Sequence, residues 1–156
     1  MQEPTESARR LWTTALWGGL AAGVGDTLLA LVLYRVSVVR IYQSIAAGLL
    51  GRDSFQGGLA TAALGMLLHF FIATTAALVY VVASTRLKPL LKQPVSCGLA
   101  FGIAVYFFMN FVVVPLSKAR AGGFAWPPMI GHALLVGLPI ALVARYRLPR
   151  FISPSR

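Results

Sequence analysis

The chain has little of what keeps a polypeptide in water. Four acidic and 14 basic side chains make up 12% of its 156 residues, against roughly a quarter charged in soluble domains. Cysteine occurs once, as Cys97 inside an apolar run. This excludes an internal disulfide and a multi-cysteine zinc site, and leaves that thiol reading as a small buried hydrophobe. The only histidines are His69 and His132, so no His-x-x-x-His pair exists. Neither glycine-rich run leads into Gly-Lys-Ser or Gly-Lys-Thr, and no serine has the context of a nucleophile elbow. These absences point to a protein that is not an enzyme.

What is present is apolar. Hydrophobic residues form 58% of the chain, and the mean hydropathy is +0.76. A polypeptide of this composition belongs in a bilayer. The net charge of +10 does not indicate nucleic acid, because the basic residues fall between apolar runs instead of gathering on one polar face. They read as topology signals.

Four stretches are long and apolar enough to cross a hydrocarbon core of about 30 Å. They run over about 11–36, 58–85, 95–117 and 129–145. Their continuity excludes a transmembrane barrel, whose strands alternate. Arg9 and Arg10 before the first run resemble a targeting signal, but the run is too long and lacks a clear cleavage site, so it is expected to be a retained span. Lys88-Pro89, Gln93-Pro94, Ala121-Gly122-Gly123 and Trp126-Pro127-Pro128 carry turn chemistry. Short links favour antiparallel neighbours. Between the first two spans, Val38, Ile41, Tyr42, Ile45 and Leu49 recur at helical spacing around Arg40, Gln43 and Ser44. The expected fold is therefore a single all-α membrane domain: four transmembrane helices in an up-and-down bundle, plus one amphipathic or re-entrant helix over about 38–51.

Basic residues also set an orientation. One side holds Arg9, Arg10, Arg86, Lys88, Lys92, Arg145, Arg147, Arg150 and Arg156, nine in all; the other holds Arg35, Arg40, Arg52, Lys118 and Arg120, five in all. The richer side is expected to face the cytoplasm, with both termini, in the inner membrane of a bacterial cell. Trp12, Trp17, Tyr34, Tyr42, Trp126 and Tyr146 lie where aromatic belts form. Gly19 and Gly23 in the first span, and Gly98 and Gly102 in the third, form Gly-x-x-x-Gly pairs, which let helices approach closely. Pro115 and Pro139 are expected to kink their helices.

Strongly polar side chains inside spans are functional candidates. Each span carries one: Asp26, His69, Asn110 and His132. Counted at about 1.5 Å per residue from the less basic side, Asp26 and His69 share a depth of roughly 15 Å, Asn110 sits at roughly 10 Å and His132 at roughly 5 Å. An Asp26–His69 contact is expected, with the other two extending a polar ladder outward, and Thr27, Thr74, Thr75 and Tyr106 as further hydroxyls. Three readings stay open. The ladder is a set of interhelical hydrogen bonds that fix register, a small-solute or proton site open to the outer face, or haem or metal ligation through His69 and His132, against which their unequal depths count. No cofactor is assigned.

The stretches Gly23-Val24-Gly25-Asp26, Ile41 to Gly51, Leu68-His69-Phe70, Met109 to Ser117, and His132 with Gly137-Leu138-Pro139 resemble a group of small multi-pass inner-membrane proteins of proteobacteria. The group carries no established activity, so the resemblance implies the membrane class and nothing finer. The functional expectation is a small transporter-like protein or an accessory subunit. Its partners are the lipid bilayer and either further copies of itself or a larger membrane complex.

Overall fold

A computed structural model describes residues 6–119 and 123–149. Arg120, Ala121, Gly122, Arg150 and Arg156, used above for turns and charge, lie outside these residues. Of the described residues 89% are helical, and no strand occurs among them. Four helices have the length and apolarity to span a membrane.

Helix α1 is Glu6–Tyr34. Glu6 in its first turn suits the positive end of the helix dipole and pairs with Arg10 at 3.3 Å, a contact of little energetic weight at this exposure. The helix stops at Arg35, whose φ of 51° is left-handed. Ser37 then caps the next helix, α2 at Val38–Leu50, by accepting from the Arg40 amide. A 3-10 turn over Gly51–Phe55 leads into α3, Gly58–Arg86. After one helical turn at Pro89–Lys92, α4 covers Pro94–Leu116 and α5 covers Trp126–Arg147. Pro127 and Pro128, which the sequence placed in a separating link, are the opening turn of α5. A helix start has no intrahelical partner for those amides, so proline fits there without loss.

The two expected kinks take a particular form. α4 widens to a π-turn at Met109–Val113 and α5 at Ala133–Gly137. In both, the proline, Pro115 or Pro139, follows two residues after the π-turn. Proline removes an amide donor and crowds the preceding turn, and a π-bulge absorbs that misfit inside a continuing helix.

Helix packing follows an open chain, α3–α1–α5–α4, with α3 also touching α5. The paired glycines make these contacts close. A Cβ on Gly19 would meet the Thr74 backbone at 2.5 Å, and Gly137 in α5 lies directly against Gly98 and Gly102 in α4. Consecutive helices α1/α3 and α4/α5 are thus neighbours, whereas α3 and α4 splay apart and enclose an apolar cleft between them. At the end of the bundle holding Glu6 and Arg147, a core of Ala15, Ala22, Ala77, Tyr80, Ile140, Ala141 and Ala144 closes the interior. The opposite end is capped by α2. Its carbonyl at Tyr42 lies over Gly65 of α3, where any Cβ would overlap it. The buried face of α2 is Ile41, Gln43, Ala46 and Ala47, so of the apolar stripe read from the sequence Ile41 is buried, Tyr42 and Ile45 are half-buried, and Val38 and Leu49 are exposed. Small side chains permit the close crossing, and Gln43 is satisfied by donating to the Gly58 carbonyl at 3.0 Å.

Candidate functional site

The apolar interior is interrupted at the α2 end by a cavity of about 450 Å³. α1 contributes Asp26, Thr27 and Tyr34, α2 contributes Arg40, Ile41 and Ser44, α3 contributes His69, and α5 contributes Pro128 and His132. Three of the four polar side chains singled out from the sequence therefore meet here.

Their pairing differs from expectation. Asp26 Oδ1 lies 3.8 Å from His132 Nε2, while His69 Nε2 sits 2.9 Å from the Gly23 carbonyl oxygen and 3.3 Å from Thr27 Oγ1. Helical rotation explains the exchange. Gly23 and Thr27, four residues apart, share the α1 face that meets α3, and Asp26, about 100° away, turns to α5. The depth mismatch read for His132 also shrinks, because α5 begins at Trp126 and places this residue six positions inside its helix.

The proton positions follow from the partners. His132 Nδ1 is 2.9 Å from the Pro128 carbonyl oxygen. A carbonyl only accepts, so Nδ1 carries hydrogen, and a neutral ring presents its Nε2 lone pair to Asp26. Lone pair against carboxylate is repulsive. A proton on either group, giving an ion pair or a carboxylic acid, would make the contact attractive. The 3.8 Å separation is within ion-pair reach and beyond a direct hydrogen bond. The ring is steadied by Tyr106 of α4, edge-on at 5.6 Å between centroids, and Tyr106 in turn accepts from the Ala125 amide at 2.8 Å.

His69 is built differently. Its Nε2 must donate to the Gly23 carbonyl, which also accepts from Thr27 Oγ1 at 2.8 Å. Tyr42 of α2 completes the knot, its hydroxyl 3.2 Å from Thr27 and its ring 5.9 Å from that of His69. Three helices are tied at one point. The sequence expects Tyr42 in an interfacial belt, and the structure places its hydroxyl in this knot; the other belt aromatics, Trp12, Trp17, Tyr34, Trp126 and Tyr146, are exposed.

Asn110 does not join this cavity. Its amide donates to the Tyr106 carbonyl at 3.0 Å, and it lines an adjoining space of about 830 Å³ with Arg40, Arg52 and Lys118. The additional hydroxyls named from the sequence divide likewise: Thr27 belongs to the site, while Thr75 donates to the Phe71 carbonyl on an exposed face. Tyr42, Tyr34, Arg40 and Ser44 are the site residues the sequence reading missed. Their signal was the position of Tyr42 and Ser44 on the short amphipathic helix.

Toward the other end the polar path stops. Thr13 and Thr14 donate to the Arg10 carbonyl, and Ser84 donates to that of Val81. These hydroxyls are spent on their own helices. For metal ligation, no three His, Cys, Asp or Glu side chains gather among the described residues, and each histidine commits one nitrogen to a carbonyl. The chain matches no family model, no curated protein and no solved structure.

Proposed function

We propose that this integral membrane protein binds a small polar solute in the Asp26–His132 cavity and couples that binding to a proton. The observation that carries the reading is Asp26 Oδ1 facing His132 Nε2 at 3.8 Å, a carboxylate and an imidazole on different helices, beside a cavity of about 450 Å³. A solute that donates hydrogen bonds or carries positive charge replaces that proton at Asp26. The Ala-rich core and the self-satisfied hydroxyls give the cavity one mouth, at the α2 end. The protein thus acts as a transporter-like element in its outward-facing form or as an accessory solute-binding subunit, without enzymatic chemistry.

In this reading the chain lies in a bacterial inner membrane as an up-and-down bundle, with the richer basic side and both termini cytoplasmic. α2 lies in the outer interface and dips far enough for Tyr42 to reach Thr27. At 16.7 kDa the bundle encloses little volume. Of its four spans, α4 is the least enclosed, with 11% of its apolar window buried, which supports lateral association with a second copy or a larger complex.

The test is difference infrared spectroscopy on the full-length protein in lipid nanodiscs through a pH titration. Carboxyl and imidazole bands should change together, and Asp26→Asn should abolish the carboxyl component while shifting the imidazole component. Independent titration of the two bands would remove the shared proton and the reading with it.

A further inference from the structure

Beside the solute cavity, and independent of its proton, the chain holds a second compartment with opposite chemistry. Arg40, Arg52 and Lys118 line the space of about 830 Å³ between α2, α3 and α4, and no carboxylate lines it among the described residues. Arg40 is fixed over the Phe55 ring, 4.2 Å from its centroid, a geometry that holds the guanidinium in place. Lys118 is anchored through its backbone amide, which donates to the Gly48 carbonyl at 2.9 Å. All three cations stand at the α2 end of the molecule, next to exposed Tyr34.

This space does not end blindly. Ile72, Met109 and Val113 line it and also line the cleft of about 430 Å³ along the splayed seam of α3 and α4. That cleft continues to Val79 and Phe101, about 10 Å further along α3. Its one polar side chain, Thr75, is satisfied by the Phe71 carbonyl. Cationic head space and apolar tail space are thus one continuous groove, set at the depths where a lipid carries its phosphate and its chain.

We propose that this groove binds an anionic phospholipid, with its phosphate held by Arg40, Arg52 and Lys118 and one acyl chain lying between α3 and α4. The charge of the rim selects a net negative headgroup over a zwitterionic one, since clustered basic residues at a membrane surface recruit anionic lipid. The chain fills a seam that the helices do not close themselves. The lipid is then a structural part of the bundle, and it borders the solute cavity through Arg40, which lines both.

The full-length protein, delipidated in mild detergent, is titrated with phosphatidylglycerol, with phosphatidylcholine of the same chains, and with inorganic phosphate, followed by native mass spectrometry and thermal unfolding. One phosphatidylglycerol per chain should be retained and should raise the Tm, with phosphatidylcholine bound at least about tenfold more weakly. Neutralising the exposed rim in Arg52→Gln with Lys118→Gln should weaken phosphatidylglycerol about thirtyfold, at about fivefold per charge. Ala76→Trp, which fills the cleft and leaves the rim intact, should also displace it. Asp26→Asn should not change lipid binding, which separates this site from the solute cavity. Equal retention of both lipids, or no loss in the rim variant, overturns the proposal. Stabilisation by inorganic phosphate equal to that by the lipid also overturns it, by assigning the rim to a free anion.

Discussion

Two histidines that look alike in the sequence do different work because of the one carbonyl each finds. His69 spends Nε2 on Gly23 and is enclosed by Tyr42, Phe70 and Thr27; it is a fastening. His132 spends Nδ1 on Pro128, leaving Nε2 to face Asp26; in the proposed function it is the proton partner. The difference is measurable as stability. His69→Phe preserves the ring but loses an interhelical hydrogen bond, so unfolding in a fixed detergent should become easier by about 1 kcal/mol. Asp26→Asn preserves shape and loses only a weak, partly exposed ion pair, so its cost should stay below about 0.5 kcal/mol. A larger loss for Asp26→Asn than for His69→Phe would reverse the two roles. Sequence alone showed that both histidines were costly inside a span. It could not show which ring nitrogen meets which acceptor, because that depends on the rotation of α1 and on α5 starting at Trp126.

At the level of helices, apolar run length made the four long elements legible, since backbone groups in hydrocarbon have no partner outside a helix, and helical periodicity revealed the short α2. Prolines marked where α4 and α5 are disturbed. The form of the disturbance, a π-turn ending two residues before each proline, depended on how neighbouring helices constrain the freed carbonyls and could not be read from Pro115 or Pro139. The docking face of α2 was also hidden in part. Periodicity weighs a side chain by its apolarity and finds Ile41, whereas the rest of the buried face is the small Ala46 and Ala47 and Gln43, which finds the Gly58 carbonyl. Gly65 is the pivot of that contact, lying under the Tyr42 carbonyl. Gly65→Ala should force α2 away from α3 and cost about 1–3 kcal/mol in the same detergent assay, with Tyr42 withdrawn from His69. Gly58→Ala should cost less. Its φ of 57° penalises a side chain but nothing stands within 4 Å. Equal effects at the two glycines would mean that α2 is not held by close approach.

The molecule as a whole is asymmetric from end to end, and the proposed function and orientation both rest on that asymmetry. One end is sealed by alanines and by Tyr80, whose hydroxyl donates to the Leu90 carbonyl at 2.8 Å. The other holds the Asp26–His132 cavity and the compartment of Arg40, Arg52 and Lys118 under α2. Basic residues are denser at the sealed end, so the open compartments are expected to face away from the cytoplasm. Single cysteines introduced into a Cys97→Ser background test this in sealed, right-side-out vesicles with a membrane-impermeant maleimide. Ala30→Cys lies on the wall of the solute cavity and should label without permeabilisation. Lys88→Cys, exposed beside the turn at the sealed end, should label only after it. Ser84→Cys, buried in the closed half, should resist the reagent from either side, because no polar route passes the alanine core. Labelling of Lys88→Cys in intact vesicles would invert the protein in the membrane and turn the cavity mouth to the cytoplasm. Labelling of Ser84→Cys would show a path through the closed half, which a one-mouthed binding site does not have.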